Sequence, residues 1–197
     1  MYSHTLKRKT LSDLLSDSLP VQIALVASYA ALIGVFSQIS IPLPFTPVPL
    51  TGQTLAVLLG AAALGHRRAI AGTLLYLAAG LAGLPWFAGG VGGVKVALSP
   101  SFGYLVGFIA AGLVVGALAE SKMDRTPIRM VTTMALGNIV IYAFGVTGLM
   151  LSIHVGLGSA IVLGVLPFLL GDLVKMVIAA GLLPGAWFAV RRAEAGR

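Results

Sequence analysis

Asp172 and Lys175 are a carboxylate and an ammonium three residues apart in Gly171-Asp172-Leu173-Val174-Lys175, within a stretch that carries almost no other charge. Side chains at i and i+3 share a helix face, so the two can present an acceptor and a donor to one small molecule. An ionisable pair inside an apolar, membrane-spanning pattern is costly unless its members meet each other, a cavity or a polar ligand. The pair therefore marks the floor of a ligand pocket. The competing reading is an internal salt bridge that only fixes its helix.

Other polar groups fall where they could join it. Gln53 is an amide near the start of an apolar segment, able to act as a helix-end donor or a ligand contact. Ala88-Gly89-Gly90-Val91-Gly92-Gly93-Val94-Lys95 is a Gly-rich run whose backbone, at Gly90 for instance, can approach a ligand closely. It is followed by Val96 and contains no Gly-Lys-Ser/Thr sequence, so it is no Walker A loop. Tyr76 falls mid-segment, where its hydroxyl needs a partner, while Trp86 and Phe87 read as interfacial aromatics. Asn138 reads as an interhelical hydrogen bond and His154 as structural or solvated. With no cysteine, thiolate chemistry and disulfides are excluded, and His4, His66 and His154 show no metal-ligand spacing. No nucleophile, base and orienter occur together, so no catalytic residue is assigned.

The elements that must position these groups are membrane helices. The chain of 197 residues is 58% hydrophobic and only 10% charged, with mean hydropathy +1.00; no soluble domain of this length has that composition. Six apolar segments follow one another, at about 20–41, 51–65, 69–86, 101–119, 130–151 and 172–191. The last starts at Gly171 or Asp172, because Pro167 and Gly171 interrupt a helix and Asp favours an N-cap. The Pro-rich segment 42–49 forms a rigid extended cap, and 152–170 an outer loop with a short helix over the pocket. Residues 1–19 form a cytoplasmic arm with a short amphipathic helix, 20–192 one six-helix membrane domain, and 193–197 a tail.

Charge placement supports this arrangement independently. Lys7, Arg8, Lys9, Arg67, Arg68, Lys122, Arg125, Arg129, Arg191, Arg192 and Arg197 fall on one side, and Lys95 alone on the other. By the positive-inside rule both termini are cytoplasmic, and Gln53, Lys95, Asp172 and Lys175 share the outer half. The net charge of +7 thus reflects topology and not a nucleic-acid partner.

Three motifs in order resemble one family: Pro42-Leu-Pro-Phe-Thr-Pro-Val-Pro-Leu-Thr-Gly-Gln-Thr54, Leu81-Ala-Gly-Leu-Pro-Trp-Phe-Ala-Gly-Gly90, and Leu166-Pro-Phe-Leu-Leu-Gly-Asp-Leu-Val-Lys175. They are similar to BioY, the biotin-binding S component of energy-coupling-factor (ECF) transporters. The resemblance implies an all-α S-component fold in the cell membrane that captures biotin with high affinity from outside and delivers it inward. It implies no cofactor of its own, and as partners a transmembrane T component and two ABC-type ATPases that use ATP. It implies that Asp172 and Lys175 touch the ligand, and that small residues on the first helix, here Ala24, Ala27, Ser28 and Ala31, dock the T component. Lys95 stands where the family commonly has Arg and so fits a carboxylate partner less well, lacking the bidentate fork. Gln53 can donate to a ligand oxygen, and Trp86, Phe87 and Tyr104 can pack its apolar parts. Self-association without partners stays open. The alternatives are an S component for another vitamin and a proton-coupled secondary transporter of a small carboxylate.

Overall fold

The computed structural model describes residues 10–196. Lys7, Arg8, Lys9 and Arg197, used in the charge argument, and residues 1–9 of the expected N-terminal arm lie outside them. Within the described part of that arm a single 3-10 turn, Leu11–Leu14, stands where an amphipathic helix was expected.

The described residues form seven α-helices: α1 Leu19–Gln38, α2 Gln53–Leu64, α3 His66–Leu81, α4 Phe102–Glu120, α5 Pro127–Ile153, α6 Leu157–Gly164 and α7 Leu169–Ala195. Among the described residues four helical stretches are long and apolar enough to cross a membrane: α1, α4, α5 and the combined 157–195 stretch. α2 and α3 are shorter. At 12 residues α2 spans about 18 Å, and it lies at the centre of the bundle with Ala56, Val57, Leu58, Ala61 and Ala62 all buried. Its neighbours supply the apolar surroundings that lipid supplies to longer helices.

α1 ends at Gln38 and not at 41, because Pro42 disfavours helical conformation in the residue before it. Ser40–Ile41 (β1) instead pairs antiparallel with Leu50–Thr51 (β2), Ser40 opposite Thr51 and Ile41 opposite Leu50. This clasp closes the Pro-rich segment into a loop, and the Thr46 hydroxyl donates to the Leu163 carbonyl of α6 at 2.7 Å. α3 likewise ends at Leu81, five residues short of the expected 86. Gly83 at φ +116° turns the chain, and Trp86 and Phe87 fold back onto Tyr76, with ring centroids 5.1 and 5.3 Å away. Neither is an interfacial anchor: Phe87 is 2% exposed and Trp86 half-buried.

α4 and α5 pack closest, for a reason legible in their glycines. A Cβ on Gly103 would lie 2.9 Å from the Gly148 Cα and 2.5 Å from the Phe144 carbonyl oxygen, so the backbones touch only because both positions lack side chains. Gly145 makes room in the same way for the Tyr104 ring.

Side-chain contacts give the bundle two unlike ends. At one, the His66 backbone N–H reaches Glu120 Oε1 at 3.1 Å and Arg68 pairs with Asp13 at 2.9 Å. There too the fully buried Asp124 accepts from the Trp187 indole N–H and from Arg125. The Arg125 guanidinium lies 3.1 Å above the Trp187 ring centroid. Burial pushes the Asp124 carboxyl above the usual carboxylate value, and Trp187 and Arg125 pull it part of the way back. These contacts gather the turns bearing Arg67, Arg68, Lys122, Arg125 and Arg129 with the end of α7 that carries Arg191 and Arg192. The opposite end holds Lys95, α6, the 40–51 clasp and a cavity.

Candidate ligand-binding site

The cavity, about 640 Å³ including space continuous with the outside, is walled by five parts of the chain. The Pro-rich loop and the start of α2 give Val48 to Thr51, Gln53 and Thr54; Ala88 and Ser101 come from the α3–α4 connection; α4 gives Tyr104, Leu105 and Phe108. α5 presents Asn138, Ile141 and Tyr142 at i, i+3 and i+4, which is one helix face. α7 and the turn before it present Phe168, Asp172 and Lys175. A mostly apolar concavity with few polar groups converging is the usual form of a small-molecule site.

α7 starts at Leu169, so Asp172 is not its N-cap. The 3-10 turn Leu166–Phe168 carries Pro167 in its middle, where no N–H is needed, and runs straight into the helix. Asp172 therefore sits in the first turn, where a carboxylate favours the positive end of the helix dipole. It is 4% exposed and Lys175 is half-buried. Lys175 Nζ donates to Asp172 Oδ1 at 3.2 Å and to Thr54 Oγ1 at 2.7 Å. The Thr54 hydroxyl in turn donates to Asp172 Oδ1 at 3.4 Å, and the Tyr142 hydroxyl donates to Asp172 Oδ2. The pair is thus neither turned to lipid nor sealed off.

Gln53, 3% exposed, lines the cavity but directs its amide N–H to the Tyr76 hydroxyl at 2.7 Å. Tyr76 donates to the Trp86 carbonyl at 3.4 Å, and the Trp86 indole N–H returns to the Tyr76 carbonyl at 3.0 Å. Gln38 adds a bond to the same Trp86 carbonyl at 3.2 Å. Tyr76 and Trp86 consequently stand behind the cavity wall and hold the Gly-rich segment in place. Tyr104 lines the cavity while its hydroxyl donates to the Gly164 carbonyl of α6 at 2.8 Å. Gly90 and Lys95 are exposed and are not part of the lining. His154 is exposed at the end of α5, in the left-handed conformation that stops the helix.

The structure thus brings together Asp172, Lys175, Gln53 and Tyr104 of the residues singled out from sequence, and not Lys95, Tyr76, Trp86 or Gly90. It adds Thr54, Tyr142 and Asn138. Tyr142 had a legible signal, a phenol inside a span whose hydroxyl needs a partner. Thr54 had none, since a hydroxyl beside Gln53 is ordinary at a helix start. Ala24, Ala27, Ser28 and Ala31 are all exposed along α1.

The BioY family model matches residues 8–192. The biotin transporter BioY of Rhizobium etli is 37% identical over 164 residues, 80% of this chain and 86% of that protein. The biotin transporter BioY of Thermotoga maritima is 41% identical over 152 residues, 77% of this chain and 87% of that one. Among solved structures, the S-component for biotin from an ECF-type ABC transporter, a crystal structure at 2.1 Å, matches with TM-score 0.78 and 23% identity. That match covers 87% of this chain and 94% of the other, a likeness of fold. By motif, by sequence over nearly its whole length and by fold, the chain belongs to the BioY family.

Proposed function

We propose that this protein captures biotin from the exterior and takes it up as the S component of an ECF-type ABC transporter. The observation that carries the reading is the bonding state of the pair on α7. An ammonium has three N–H donors and a carboxylate about four acceptor sites. Lys175 uses two donors on Asp172 and Thr54, and Asp172 receives Lys175, Thr54 and Tyr142. One donor on Lys175 and one acceptor site on Asp172 Oδ2 are left, on two residues that both line the cavity. A cyclic urea, with N–H beside C=O, is complementary to that vacancy, and the apolar walls suit the bicycle and chain of biotin.

In this reading α1 to α5 and α7 make six crossings of the cell membrane, α2 and α3 shielded by the longer helices, with both termini cytoplasmic. The basic end faces the cytoplasm and the cavity the exterior. Residues 20–192 form one membrane domain and 1–19 a cytoplasmic arm; α7 continues into the short 193–197 tail. The exposed Ala24, Ala27, Ser28 and Ala31 stripe docks the T component, and two partner ATPases supply ATP hydrolysis. Lys95 meets the biotin carboxylate only if its segment shifts toward the cavity.

Isothermal titration of the detergent-purified, ligand-stripped protein tests the reading. Tight binding of biotin with none of thiamine or riboflavin is expected, and protein purified without stripping should carry biotin. Tight binding of another vitamin, or of none, would overturn it.

A further inference from the structure

Asn138 reaches the cavity from α5 while only 7% exposed. Among the described residues its carboxamide has no hydrogen-bond partner in the chain, which departs from the interhelical bond expected of it. The other deeply buried polar side chains of the lining are all engaged: Gln53 on Tyr76, Tyr104 on Gly164, Asp172 on three donors. The Asn138 amide atoms are open to the cavity and not buried without a partner, so in this mostly apolar wall the carboxamide is one of the few polar groups placed to bond a ligand.

Its position says which part of a ligand that partner is. Asn138 lies one turn before Tyr142, about 6 Å along α5, and Tyr142 holds Asp172. With α5 and α7 crossing in opposite senses, Asn138 is displaced from Tyr142 in the direction in which Lys175 is displaced from Asp172. A cyclic urea has two N–H groups and one carbonyl with two lone pairs. The vacancy at Asp172 and Lys175 serves one N–H and one lone pair. The remaining edge, an N–H and a C=O held cis by the ring, matches a primary carboxamide, which can accept from the first and donate to the second.

We propose that Asn138 is a specificity-determining residue whose carboxamide takes the urea edge left free by Asp172 and Lys175. The proposal rests on the biotin reading above.

The test is titration of Asn138→Leu and Asn138→Asp with biotin and with two biotin derivatives methylated on one or the other urea nitrogen, beside thermal unfolding of the ligand-free proteins. Asn138→Leu should raise the Kd for biotin roughly 10-fold to 100-fold without lowering the unfolding temperature, because no hydrogen bond within the protein is lost. It should also erase the penalty for methylation at one nitrogen and keep it at the other. Asn138→Asp, which retains the shape but not the N–H donor, should weaken biotin binding as well. Biotin binding by either variant within threefold of the unmodified protein overturns the proposal, as do equal methylation penalties before and after substitution. Failure of the unmodified protein to bind biotin would instead sink the functional reading.

Discussion

Replacing Asp172 and Lys175 one at a time and together separates a binding role from a merely structural one. Asp172 is 4% exposed and Lys175 contacts it at 3.2 Å. Asp172→Asn alone leaves an ammonium without its counter-charge, with the Thr54 hydroxyl and a neutral amide oxygen as acceptors. Removing one member of a buried pair costs about 3–5 kcal/mol; because Lys175 retains 14% side-chain exposure, the lower end, about 3 kcal/mol, is expected. Lys175→Met alone leaves a carboxylate with two hydroxyl donors and should cost a similar amount. In Asp172→Asn/Lys175→Met no charge is stranded, Tyr142 can still donate to the Asn carbonyl, and stability should return to within about 1 kcal/mol of the original. Biotin affinity should not return. Each charge-assisted bond to the ligand is worth about 1.5–3 kcal/mol, so the double variant should bind at least about 100-fold more weakly. Thermal unfolding followed by tryptophan fluorescence reads the first quantity and calorimetric titration the second. A double variant that is folded and binds biotin with unaltered affinity would refute the assignment of the pair to the ligand.

Tyr142→Phe removes a donor from Asp172 and should lower stability by about 1.5–3 kcal/mol while weakening biotin binding; thermal unfolding and titration both read it, and no change in either contradicts the network. Gly103→Ala places a methyl against the α5 backbone and should cost about 1–3 kcal/mol, seen as a lower unfolding temperature. Thr46→Val deletes the bond to the Leu163 carbonyl and should raise hydrogen exchange of α6 and speed biotin release, with α4 and α5 exchange unchanged. Asp124 titrates in the opposite sense to a stabilised carboxylate. Its folded value is raised by burial, so between about pH 4 and that raised value the folded state binds more protons and stability falls as pH rises. Asp124→Asn should flatten that slope in unfolding temperature measured against pH.

What could be read in advance followed from periods and charge. Long apolar runs and one-sided Arg and Lys gave the helices and the two ends, and an i, i+3 ion pair in an apolar run led directly to the cavity floor. Helix ends were less legible, because they depend on what the chain does next. Pro167 looked like a break but sits in the middle of the turn Leu166–Phe168 that continues into α7, and Ile41 was lost to β1 because Leu50 was available to pair with it. The aromatic residues misled for a related reason. Trp86 beside a Gly-rich run has the composition of an interfacial anchor, and only the fold places Tyr76 beneath it. That the Tyr142 hydroxyl needs a partner is legible, but that the partner is Asp172, 30 residues further on, leaves no local trace.

The two ends of the bundle are held by different chemistry, and this bears on how a buried site fills. At the basic end the connections are charged or charge-assisted: Arg68 to Asp13, Glu120 to His66, Asp124 to Arg125 and Trp187. Such bonds are roughly twice as strong as neutral ones. At the cavity end α6 is tied down by two neutral bonds from hydroxyls to its carbonyls, Thr46 to Leu163 and Tyr104 to Gly164, each contributing about 0.5–1.5 kcal/mol net. α6 is also short and mostly exposed, and Gly156 and Gly158 at its start have open space around them. Local opening is cheapest where buried apolar contact is least and the bonds are weakest. Amide hydrogen exchange is therefore expected to be faster in α6, at the cavity end, than at the charged end, and equal exchange at the two ends would refute this reasoning.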